Sequence, residues 1–349
     1  MRSYMPCMSR RQFFQSAASI AISPVLNKVG RADQIERTLG RNGPVVSPVG
    51  LGCNNFGRRL DRAGTERVVH AAVDLGITLF DTADVYGSGL SEQYLGKALG
   101  RRRNNVLIAT KFGGAMGSGP SPEGGGSKQA IIYAIEQSLQ RLNTDFIDLY
   151  QYHRPDGVTP MEETMEALDD LVRQGKIRYI GHSNFTALQA YECAKIASNN
   201  NLSSFVSAQN HYSLLTRDIE DALVPACEEL GLGVLPYFPL ESGTLTGKYK
   251  RGQAPAEGTR MATFAARSAE LANRFLNEER FNKIENLSAL AESAGVKILD
   301  FAFGWLLSKS FIASVIAGAT RPEQLEANVK ASLWRPTEDV NLEIDRITG

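Results

Sequence analysis

After a polar stretch near residue 35, short apolar runs alternate with longer segments whose apolar residues recur every three or four positions. Short runs bounded by turn residues read as buried strands, and the longer period reads as amphipathic helix. The pattern predicts a hairpin over 37–47, turning at Arg41-Asn42-Gly43. It then predicts strands over 49–53, 77–80, 106–110, 146–150, 177–180, 205–209, 232–235 and 313–316. Helices are predicted over 65–75, 91–99, 128–142, 162–174, 187–198, 219–230, 282–293, 298–308 and 322–332. Gly76, Gly175 and Gly231 stand where helices usually stop.

Eight strand–helix units after a hairpin imply a parallel sheet, and their number fits a closed (β/α)8 TIM barrel better than an open doubly wound sheet. The barrel domain is expected over 36–338, with no repeat and no linker. Two loops break the rhythm. The glycine-rich segment 113–127 reads as a plain connector. The stretch 239–272 reads as one long irregular loop, of the length that is usually functional or disordered.

Composition narrows the partners. The chain has 349 residues, 43% of them hydrophobic, enough for a large core. Its 38 basic and 38 acidic residues cancel, which argues against a nucleic-acid surface. No apolar run is long enough to span a membrane. Cys7, Cys53, Cys193 and Cys227 form no C-x-x-C pair and no zinc spacing, so they read as separate thiols and no metal is expected. The first 32 residues stand apart. Arg10-Arg11 followed by the mildly apolar 16–22 resembles a twin-arginine export leader, with Gly30-Arg31-Ala32 as a cleavage site. The expectation is periplasmic export; the alternative is a leader without a working signal and a cytoplasmic protein.

In such barrels the chemistry sits at the C-terminal ends of the strands. Asp81 and Tyr86 follow the second strand, Lys111 the third, His153 and Arg154 the fourth, and Ser183 and Asn184 the fifth. Gln209 follows the sixth, Tyr237 the seventh, and Thr320 and Arg321 the eighth. A phenol is a poor acid at neutral pH, but a nearby ammonium lowers its pKa and a carboxylate keeps that ammonium oriented. An imidazole can hydrogen-bond the same substrate oxygen. Each residue alone has a plainer role: Asp81 as a cap, Tyr86 as packing, Lys111 as a solvated charge, His153 as a core histidine. Four together on successive strand ends point to an acid/base tyrosine.

The strings Phe80-Asp81-Thr82-Ala83-Asp84-Val85-Tyr86-Gly87, Ala109-Thr110-Lys111, Gln151-Tyr152-His153, Gly181-His182-Ser183-Asn184-Phe185, Leu245-Thr246-Gly247-Lys248-Tyr249 and Gly318-Ala319-Thr320-Arg321 resemble the aldo-keto reductase pattern. The resemblance runs from about residue 40 to residue 332. It implies a tetrad of Tyr86 as general acid, Asp81 and Lys111 tuning it, and His153 orienting a carbonyl. It also implies hydride transfer from NADPH, bound without a G-x-G-x-x-G loop. Ser183, Asn184 and Gln209 match the carboxamide site, and Tyr237 the ring that stacks on nicotinamide. Phe238, Pro239, Leu240, Ser242, Gly243 and Lys248 match the pyrophosphate loop. Gly318, Thr320, Arg321, Gln324 and Asn328 match the 2′-phosphate and adenine region, where an arginine fork favours NADP over NAD. Ala327 departs from the family's usual carboxylate, and His182, Glu241 and Thr244 replace small or apolar residues. The partner expected is a small aldehyde or ketone. Asn54, Asn55, Phe56 and Arg154 are candidate pocket walls; which carbonyl they select, and the oligomeric state, stay open. Two other readings also stay open: a cofactor-binding regulatory subunit like the potassium-channel β-subunits, and a different barrel enzyme.

Overall fold

The computed structural model describes residues 35–114 and 125–349. The expected leader, 1–32, lies outside the described residues, as does much of the glycine-rich loop.

Ten strands form two sheets among the described residues. β1 (Arg37–Thr38) and β2 (Val45–Val46) pair antiparallel as the expected hairpin. The others are parallel and follow chain order: β3 (Val49–Gly52), β4 (Leu79–Asp81), β5 (Leu107–Phe112), β6 (Ile147–Tyr152), β7 (Ile177–Ser183), β8 (Phe205–Gln209), β9 (Gly233–Val234) and β10 (Val315–Gly318). β10 lies beside β3. The sheet also closes at its other end: the Val234 N–H donates to the Phe311 carbonyl, and the Ala313 N–H to the Val234 carbonyl. The result is the expected (β/α)8 barrel.

Burial follows from the strand sequences. β4 and β6 are buried along their whole length, as strands must be when a barrel interior lies on one face and a helix layer on the other. Leu79, Ala109, Leu149, Val206 and Leu235 fill the barrel interior together with Leu39 and Val46 of the hairpin. The hairpin is therefore a plug for the N-terminal end. Gly40 permits this contact: its φ is 69°, and a Cβ there would lie 2.5 Å from the Val206 carbonyl oxygen.

Three expectations need correction. The 219–230 helix is a short 3-10 turn, Asp218–Glu220, followed by a helix over Leu223–Leu230. Pro225 lies in that helix's first turn, and its ring would clash with the carbonyl of residue 221 in a longer helix. The 239–272 stretch is not irregular throughout. Thr259 and Ser268 cap helices over Arg260–Arg267 and Ala269–Asn273, and Met261 packs with Tyr249 and Phe275 in a small core of its own. Finally, the fold does not end at residue 338. A last helix, Glu338–Thr348, buries Ile344 in the main core, and its Asp345 pairs with Arg217.

Candidate active site

Several strands run farther toward the barrel mouth than their apolar runs suggest. Asp81, Lys111 and Ser183 lie within β4, β5 and β7 and not in the loops after them. Polar side chains can end these strands because they pair with one another. The Lys111 ammonium donates to both Asp81 carboxylate oxygens at 2.8 Å, and to the Thr82 carbonyl at 2.8 Å. Gln209 also donates to Asp81 at 2.8 Å, and Gln151 at 3.3 Å. Lys111 is completely buried. Gln151 was not singled out in the sequence; its alternation with His153, two residues on, is the signal that places both on the inner face.

Tyr86 and His153 sit over this pair. Lys111 Nζ lies 5.1 Å from the Tyr86 ring centroid, and the Tyr86 and His153 rings are 6.0 Å apart, edge to face. Burial raises the Tyr86 phenol, and this outweighs the lowering by Lys111, so its pKa lies above the usual value. The ammonium alone would have implied the opposite. Burial disfavours the Lys111 ammonium too, but Asp81 and Tyr86 more than offset it, and its pKa is raised. Burial, then Lys111 and Arg154, push His153 down to about 3, so its ring is neutral at physiological pH.

Ser183, Asn184 and Gln209 form one network. Ser183 Oγ donates to the Gln209 carbonyl at 2.8 Å. Asn184 donates to the His153 carbonyl at 3.0 Å and accepts from the Tyr237 hydroxyl at 2.8 Å. A register shift between β7 and β8 at Ile180 and Gly181 precedes this strand end, a device that re-aims side chains beside sites. One face of Tyr237 is covered by His211, at 5.5 Å and nearly parallel.

Backbone strain gathers here as well. Seven non-glycine residues among those described have positive φ. Asn143 and Asn201 merely close helices. Of the other five, Asn184, Phe238 and Ser242 line the site's cavity, while Ser88 lies two residues from Tyr86 and Glu241 directly precedes Ser242. Such conformations persist where the surroundings over-determine them, and they cluster at ligand sites.

The site opens into one cavity of about 710 Å³. Asp81, Tyr86 and His153 line it, with Lys111 behind them. Every expected cofactor residue lines it except Asn328, which is buried in the Pro322–Ala331 helix away from the cavity wall. Arg58, Arg59 and Arg260 also line it, and the sequence reading did not single them out. Arg59 donates to the Gly258 carbonyl, and Arg260 to the side-chain oxygens of Asn54 and Asn55 at 3.4 and 3.3 Å. The segment after β9 thus reaches the connection after β3. No periodicity links residues some 200 positions apart, so only the fold reveals this contact.

Two departures find their place. The Glu241 carboxylate is fully buried and turns away from the cavity, accepting from His211 and Arg280 at 2.8 Å each and from Ser213. Burial opposes its charge, but these partners win and hold it at about 2. His182 is also fully buried, outside the cavity lining, and stacks on Phe185 at 4.5 Å.

Comparison with known proteins follows the same outline. Residues 48–348 match the aldo/keto reductase family. A probable voltage-gated potassium channel β subunit of Oryza sativa subsp. japonica is 36% identical over 302 residues, 84% of this chain and 90% of that protein. An uncharacterized oxidoreductase of Bacillus subtilis (strain 168) is 37% identical over 303 residues, 84% of this chain and 89% of that protein. A putative channel β subunit of Schizosaccharomyces pombe is 35% identical over 319 residues, 89% of this chain and 92% of that protein.

Proposed function

This chain belongs to the aldo/keto reductase family, and from that premise we propose that it is an NADP(H)-dependent reductase of aldehydes or ketones with Tyr86 as proton donor. The observation that carries the proposal is the buried Asp81–Lys111 pair beneath Tyr86, with neutral His153 beside it.

The cavity's own groups fit a phosphate-bearing dinucleotide. Ser242 Oγ is buried with no hydrogen-bond partner among the described residues. At Gly243, φ is 97° and a Cβ would lie 2.8 Å from Lys248 Nζ, so the glycine keeps that ammonium's approach open. Ser242, Gly243 and Lys248 would hold the pyrophosphate, with Phe238, Pro239 and Leu240 shaping the loop. Thr320, Arg321 and Gln324 would hold the 2′-phosphate end, Tyr237 would stack on nicotinamide, and Ser183, Asn184 and Gln209 would orient its carboxamide. When bound, the reduced cofactor supplies the hydride.

The chain's residues do the rest. Neutral His153 donates a hydrogen bond to the substrate oxygen and fixes the carbonyl. Tyr86, its pKa raised, keeps its proton at neutral pH until negative charge develops on that oxygen, and then transfers it. Lys111 stabilises the phenolate that results, and Asp81 holds Lys111 in place.

A second reading, a cofactor-binding regulatory protein with little turnover, draws support from the similarity to the rice and fission-yeast channel subunits. NADPH consumption over a panel of aldehydes and ketones separates the two. The reductase reading expects turnover that falls about 10²- to 10⁴-fold in Tyr86→Phe while NADPH binding survives. Tight NADPH binding without turnover of any carbonyl would favour the regulatory reading instead.

A further inference from the structure

The cavity holds more positive charge than the expected cofactor positions account for. Arg58, Arg59, Arg154, Lys248, Arg260 and Arg321 line it, against two carboxylates, Asp81 and Glu257. Lys111 already neutralises Asp81. Among the described residues none of these six cations joins an ion pair. The chain as a whole is balanced, 38 basic against 38 acidic residues, so the excess is local to the cavity. Like charges also crowd one another there: burial, then Arg59 and Arg58, lower the pKa of Arg260. A concave site of one sign concentrates ligands of the other.

Lys248 and Arg321 stand at expected cofactor positions. Arg154 stands elsewhere. It directly follows His153 after β6, and its charge bears on both His153 and Tyr237. Its guanidinium is exposed and makes no hydrogen bond or ion pair to the described residues, so its donors are free for a ligand. It also borders a smaller recess of about 350 Å³ that shares Asn184 and Tyr237 with the main cavity. Arg58 enters from the connection after β3, three strands round the barrel from β6.

We propose that the carbonyl substrate carries an oxoanion, a carboxylate or a phosphate, which Arg154 holds beside His153 with Arg58 as a second cation at the mouth. This rests on the reductase reading. The anion takes no part in the bond changes; it fixes the carbonyl against Tyr86 and His153 through charge-assisted hydrogen bonds.

The test uses matched pairs: 4-carboxybenzaldehyde against its methyl ester, and glycolaldehyde phosphate against glycolaldehyde. In the full-length protein the charged member of at least one pair should have a kcat/KM about tenfold higher, chiefly through KM. The advantage should shrink as salt rises and fall close to one in Arg154→Gln, with a smaller loss in Arg58→Gln. The pair that discriminates tells carboxylate from phosphate. Calorimetric titration of the NADP-loaded protein with 4-carboxybenzyl alcohol and with uncharged 4-methylbenzyl alcohol gives a readout without turnover. Tighter binding of the acid that is lost in Arg154→Gln supports the proposal. Equal kcat/KM within both pairs, or a preference that survives in both variants, overturns it while leaving the reductase reading intact. If no aldehyde turns over, the reductase reading fails and the titration alone decides: equal binding of the two alcohols overturns the proposal.

Discussion

The Lys111 ammonium contacts both oxygens of the Asp81 carboxylate at 2.8 Å, and the lysine is wholly out of solvent. Such a pair is asymmetric in its energetics. Removing one partner leaves a buried charge uncompensated, at a cost of about 3–5 kcal/mol, whereas removing both can be nearly neutral. Lys111→Met is therefore expected to lower the free energy of unfolding in urea by that order. Combining Asp81→Asn with Lys111→Met should restore most of the stability and none of the activity. A double variant no more stable than the single one would mean that the pair's charges are not what the site must balance.

His182 gives the second prediction. It is fully buried, and neither ring nitrogen has a hydrogen-bond partner among the described residues. Burial lowers its pKa to about 3. Between about pH 6.5, the usual histidine value, and pH 3, the unfolded chain binds a proton that the folded protein does not. Stability therefore falls as pH drops through that window, and His153, also at about 3, adds to the fall. His182→Leu should raise stability at pH 7 by about 1–2 kcal/mol, because it removes buried unsatisfied groups. It should also flatten the loss between pH 6.5 and 4. Identical pH slopes in wild type and variant would show that this ring is not the titrating group.

How much of this was legible in the sequence depends on the range of the interaction. The eight-strand rhythm was legible because it is local: 205–209 and 128–142 fall where their apolar patterns put them. That Asp81, Tyr86, Lys111 and His153 come together was legible because each ends or follows a strand, and barrel topology brings strand ends together. The 259–273 helices were missed because they pack on a small satellite core that holds only a few apolar residues. Gln151, Arg58, Arg59 and Arg260 were missed because what marks them is contact across the barrel. The net direction of the Tyr86 shift was missed for a related reason: burial depends on every neighbour, while the lysine is only one of them.

Glu241 supports the strained turn that carries Ser242. Its φ is 45° and that of Ser242 is 58°, and its carboxylate is tied to His211, Ser213 and Arg280. His211 in turn backs the Tyr237 ring. Glu241→Ala removes the anchor and leaves Arg280 without its carboxylate, so the turn should relax. NADPH binding, followed by fluorescence titration, should weaken about tenfold, roughly 1.4 kcal/mol, with a smaller effect on kcat. Because the folded-state pKa is held at about 2, the carboxylate's contribution to stability is present above about pH 4.5 and lost as pH falls toward 2. Unchanged NADPH affinity in Glu241→Ala would confine the network to the fold.

On the proposed reductase reading, Arg321 is expected to discriminate between the two nicotinamide dinucleotides. Its side chain is exposed at the start of the Pro322–Ala331 helix and lines the cavity. The turn that carries it is fixed without the guanidinium, since Gln324 Oε1 accepts from the Thr320 and Arg321 backbone N–H groups at 2.7 and 3.2 Å. Arg321→Gln should therefore leave the backbone in place and remove only the positive fork. A charge-assisted contact to a phosphate contributes about 1.5–3 kcal/mol. The KM for NADPH should accordingly rise by about ten- to a hundredfold, with kcat little changed, while the KM for NADH, which lacks the 2′-phosphate, stays within about twofold. An equal rise for both dinucleotides would place Arg321 on the part they share and remove the reason for preferring NADP.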